Sequence, residues 1–145
     1  MDEKEAYEFL SEQPVSECSC EKCIGMCKSR VCWGTPKDIQ TLTNKLPESI
    51  NKLMIDWWVG DDGDIEIVSP AIVGYEKGMA PSWPSGICAF LNSDDRCEIH
   101  ALKPIEGKTA SCNSSSSYQS HHAVAMTWDT PLGRNLVGSV REMWE

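Results

Sequence analysis

A small α+β single domain is the fold class this sequence predicts, and three features lead there. Capped helix starts stand at Thr35 and Thr130, short apolar runs face each other across polar turns, and eight cysteines occur in 145 residues. That length favours one domain with room for a core. Residues 1–145 are therefore expected to form one cysteine-rich unit, with a core over about 18–112 and helices within 120–145 packing on it.

The first element is a short amphipathic helix over residues 2–12, with Ala6, Phe9 and Leu10 on one side, and Pro14 stops it. Next come Cys18, Cys20, Cys23, Cys27 and Cys32. On a helix advancing about 100° per residue, Cys20, Cys23 and Cys27 fall within roughly 60° of one another, while Cys18 and Cys32 stand outside that arc. Thr35-Pro36-Lys37-Asp38 then reads as an N-cap, a proline at the first helical position and an acid three residues after the cap. That helix should run to about Lys45. Leu46-Pro47 breaks it, and Ile50, Leu53, Met54 and Trp57 at helical spacing predict another helix over 48–58. Gly60 to Asp64 is a turn whose acids lack the spacing of a calcium loop. Ile65, Ile67 and Val68 predict a strand, with a shorter one at Ala71 to Val73, and a glycine- and proline-rich loop follows over 74–84.

The central stretch, Gly86 to Pro104, reads as a hairpin: Ile87 to Leu91 and Cys97 to Ile99 flank the turn formers Asn92, Ser93, Asp94 and Asp95. With Leu91 facing Arg96, Cys88 would lie opposite Ile99 and Phe90 opposite Cys97, so both thiols would leave one face; a slip of one residue would separate them. Cys112 and Ser114 to Ser117 lie in a connector, and a helix is expected from Ser120 to Trp128 with His121 and His122 in its first turn. Thr130-Pro131 opens the last helix, where Leu132, Leu136, Val140 and Met143 form a packing stripe.

Charge and compartment narrow the function. The net charge of −9 argues against direct nucleic-acid binding. An acidic N-terminus without an apolar leader, and the lack of any transmembrane run, predict a cytoplasmic protein with no membrane association. In that reducing compartment, clustered thiols bind metal more readily than they form disulfides. Thiolate sulfur selects zinc, cuprous copper or iron–sulfur clusters and excludes magnesium and calcium. A helical triad plus one hairpin cysteine would supply the four ligands that zinc takes, and four cysteines would equally hold a [4Fe–4S] cluster. Cys112 could close such a site. His100 could ligate, hydrogen-bond to a thiolate or serve the core. A Ser-His-Asp triad from the serine run, His121 or His122, and Asp129 has no nucleophile elbow to support it.

Cys20-x-x-Cys23, Arg30-Val-Cys-Trp33-Gly-Thr-Pro36, Ser69-Pro-Ala71 with Gly74, Pro84-Ser-Gly-Ile-Cys88-Ala-Phe-Leu, Arg96-Cys97-Glu-Ile-His100 and Lys103-Pro-Ile-Glu-Gly together carry a resemblance. The pattern resembles the YkgJ-like cysteine-cluster family, described as zinc- or iron-chelating proteins, over most of Cys20 to Cys112. The resemblance implies that Cys20, Cys23, Cys88 and Cys97 are ligands and that Cys27 matches the family's next cysteine. Two departures stand out. Gly107 occupies the place of a usual cysteine after the Lys-Pro-x-Glu segment, so either Cys112 substitutes or the site lacks that ligand, and Cys32 stands where glycine is usual. A similar module in some flagellin lysine methylases is associated with an iron–sulfur cluster, which favours that cofactor over zinc here. The function expected is metal binding by Cys20, Cys23, Cys27, Cys88, Cys97 and Cys112 in a structural or regulatory role. Two alternatives stay open: an iron–sulfur enzyme or enzyme subunit in redox or protein-modification chemistry, and an acidic module, stabilised by zinc, that binds a protein partner.

Overall fold

A computed structural model describes residues 1–13, 31–61, 63–82, 86–94, 97–99 and 118–145. The described part is α+β, as expected, with helices packed around one antiparallel hairpin. Helix α1 (Glu3–Ser11) begins where Asp2 accepts the Glu5 amide at 2.8 Å, and it buries Ala6 and Leu10. Helix α2 (Pro36–Lys45) carries a full capping box: Thr35 Oγ1 accepts from Asp38 N at 3.2 Å, and Asp38 Oδ2 accepts from Thr35 N at 3.0 Å. Both starts match the sequence reading.

The predicted helix over 48–58 is not there. A 3-10 helix (Pro47–Lys52) leads into strand β1 (Leu53–Gly60), which pairs with β2 (Gly63–Pro70) from Leu53↔Pro70 to Gly60↔Gly63. The apolar spacing misled because Leu53 to Asp56 is buried on both faces of the sheet, so the strand shows no alternation. Its aromatic and branched content, Ile55-Asp-Trp-Trp-Val59, favours the extended form. The expected loop at 74–84 also does more than connect: Met79 bridges Ile55 in parallel, with Ile55 N donating to Gly78 O and Ala80 N to Ile55 O, both at 2.8 Å. The short strand expected at Ala71 to Val73 is a single bridge at Ile72.

Helix α3 (Tyr118–Trp128) packs on α1, and α4 (Pro131–Met143) follows it after a corner capped by Thr130. The stripe on α4 is rotated from expectation. Gly133, Val137 and Val140 are buried, whereas Leu132 and Met143 are exposed. Gly133 sets this rotation by lying against the end of α3, where a β-carbon would come 2.4 Å from Trp128 O. Two indoles tie distant segments together: Trp128 Nε1 donates to Gly34 O and Trp144 Nε1 to Ile50 O, each at 2.8 Å. Among the described residues, no helix is long and apolar enough to cross a membrane.

Candidate metal centre

Two described cysteines are fixed at the open end of the hairpin. Beyond Pro70, the chain segment 87–89 lies alongside Ala71 to Val73: Val73 N donates to Ile87 O at 2.9 Å and Ala89 N to Ala71 O at 2.8 Å, bracketing an antiparallel bridge between Ile72 and Cys88. Gly86 makes this approach possible. Its φ is +152°, and a β-carbon there would meet Ile72 Cγ2 at 2.6 Å. Cys88 is buried.

From Cys88 the chain turns rather than extends. Leu91 N donates back to Cys88 O at 3.0 Å, Leu91 bridges Cys97, and Glu98 N donates to Phe90 O at 2.7 Å. Both cysteines are thereby tied to Leu91. Asn92 begins the tip with an Asx turn, its Oδ1 accepting from Asp94 N at 2.9 Å. The expected register, Leu91 against Arg96, is off by one residue, because Leu91 bridges Cys97 instead. The argument that both thiols share a strand face goes with it, since residues 88–91 form a turn and not a strand. Phe90 and Ile99 are buried beside the pair, and Cys97 is partly exposed.

Lys52 lies over this loop. Its Nζ is 2.7 Å from Glu98 Oε1 and 5.8 Å from the Phe90 ring centre, while its carbonyl accepts from Ala71 N at 2.8 Å.

Next to Cys32, the chain is anchored elsewhere on the sheet. The next residue, Trp33, donates from Nε1 to buried Asp56 Oδ2 at 3.0 Å, and its ring stacks on His121 at 3.6 Å between centres. Trp58 meets His121 edge-on at 5.6 Å and stacks on His122 at 5.3 Å. Asp56 pairs with Ile67, and Cys88 bridges Ile72, five residues further along the chain. At about 3.3 Å per residue, these anchor points lie at most roughly 16 Å apart along the chain. This aromatic layer was not anticipated. The adjacent Trp57 and Trp58 are a sequence signal that could have pointed to it. It also bears on the hydrolase triad: both histidines lie against indoles, and Asp129 pairs with Arg134 at 3.1 Å.

The predicted ligands Cys20, Cys23, Cys27 and Cys112, together with Cys18 and His100, lie outside the described residues. Among the described residues, no group of three or more histidine, cysteine or acidic side chains is placed to hold a metal. No family model, curated protein or solved structure matches this chain.

Proposed function

We propose that this chain is a metal-binding cysteine-cluster protein of the YkgJ-like kind. Cys88 and Cys97 supply two thiolates, and the remaining ligands come from Cys20, Cys23, Cys27 and Cys112. The observation that carries this reading is the pinned loop, in which backbone hydrogen bonds tie both cysteines to Leu91 beside buried Phe90 and Ile99. Thiolates held on a rigid frame pay little ordering entropy on binding, and apolar neighbours limit water access to the sulfur. The donor chemistry fits an iron–sulfur cluster or zinc. Either would act here as a cross-link between segments far apart in sequence, with the iron–sulfur form adding the capacity to hold an electron.

The test is metal retained per chain in serine variants. Cys88→Ser and Cys97→Ser should each lose most of the bound metal, because serine keeps the volume but is a poor ligand at neutral pH. Cys32→Ser, next to Trp33 on its Asp56 anchor, should retain it. Full metal content in the first two variants would sink the proposal.

A further inference from the structure

We infer that Lys52 is a positioning residue for the thiolate pair, clamping the two arms of the cysteine loop together. The inference rests on the metal-binding reading above and says how that site is kept in shape. Lys52 ends the 3-10 helix, immediately before β1, and its carbonyl accepts the Ala71 amide at 2.8 Å, so its backbone is part of the sheet frame. Its side chain leaves that frame and touches both arms. On the arm of Cys97 it meets Glu98 Oε1 at 2.7 Å; on the arm of Cys88 it lies 5.8 Å from the Phe90 ring centre, within cation–π range. The same two residues are joined by the Glu98 N to Phe90 O hydrogen bond at 2.7 Å. One cation therefore spans the bond that closes the loop. Thiolate ligation adds negative charge to an already acidic chain, and an ammonium held on Glu98, the residue after Cys97, offsets part of it.

The Lys52–Glu98 pair is substantially exposed, with both side chains at 43% relative accessibility, so the effect is modest and screened by salt. The experiment compares the wild type with Lys52→Met and Lys52→Arg in two measurements. In the metal-free protein, the Glu98 amide should exchange with solvent several-fold faster in Lys52→Met and at the wild-type rate in Lys52→Arg. In anaerobic titration with cobalt(II), Lys52→Met should bind about twofold to fivefold more weakly at low salt, Lys52→Arg should restore the affinity, and 1 M salt should shrink the difference. Unchanged Glu98 exchange in Lys52→Met would overturn the clamp. Equal cobalt affinity of wild type and Lys52→Met would overturn its role at the site. Failure of the wild type to bind cobalt through thiolates would instead overturn the metal reading, and with it any role of Lys52 in metal binding.

Discussion

Asp56 shows how a single side chain can hold the layout of this domain. It is buried, and its oxygens accept hydrogen bonds, Oδ2 from Trp33 Nε1 and Oδ1 from Trp57 N at 2.8 Å. An asparagine has only one acceptor oxygen, so Asp56→Asn would turn an NH2 group toward one of these N–H donors. The expected cost is about 1–3 kcal/mol, read as a lower urea midpoint together with a change in tryptophan emission as Trp33 shifts. An unchanged midpoint and spectrum would contradict this account of Trp33. Gly133 is a second such residue. Gly133→Ala should cost about 3 kcal/mol, the upper end of over-packing penalties, because the new methyl would meet the backbone of Trp128 and not a side chain that can move aside. A melting temperature within a degree of wild type would refute it. Neither residue could be picked from sequence, since each depends on a partner brought close only by the fold.

Among the elements, those that carry their own signal were legible. Asp2, Thr35 and Thr130 cap the helices they were read to start or adjoin, because a cap is a local hydrogen bond whose donor and acceptor lie three residues apart. The 48–58 segment was misread where burial on both faces erased the period of two, and the α4 stripe was misplaced because a glycine, invisible to a hydrophobic count, makes the closest contact. The turn around Cys88 was read as a strand for a similar reason: an apolar run does not distinguish a buried turn from a buried strand. The contact between α1 and α2 yields a pH prediction. Burial, and then the carboxylates of Glu3 and Asp38, raise the Tyr7 phenol above its ordinary value of 10.0. The folded state therefore binds this proton more tightly than the unfolded chain does. That contribution to stability is present below pH 10 and is lost as pH rises through the folded value. Tyr7→Phe should accordingly lose less stability than wild type between pH 9 and 11, measured by urea midpoints; parallel curves would contradict it.

For the molecule as a whole, the α+β class could be read from capped helices and paired apolar runs, and the described residues bear it out. The proposed centre was only partly legible. Sequence pointed to Cys88 and Cys97 as a pair, and the fold ties both to Leu91, but by a turn and a bridge where a regular hairpin was expected. Cys32, set apart by its helical phase, is followed by Trp33, which is anchored on Asp56. Bringing Cys20, Cys23, Cys27 and Cys112 to the Cys88–Cys97 loop is a long-range event that no local pattern encodes, and a bound metal is the physical means proposed for it. The most direct measurement is the spectrum and elemental content of protein purified without oxygen. The account predicts a brown protein whose broad visible absorption bleaches on reduction, with iron and acid-labile sulfide in similar amounts. Colourless protein with stoichiometric zinc and no sulfide would contradict the choice of an iron–sulfur cluster, and protein carrying neither metal would contradict the central claim.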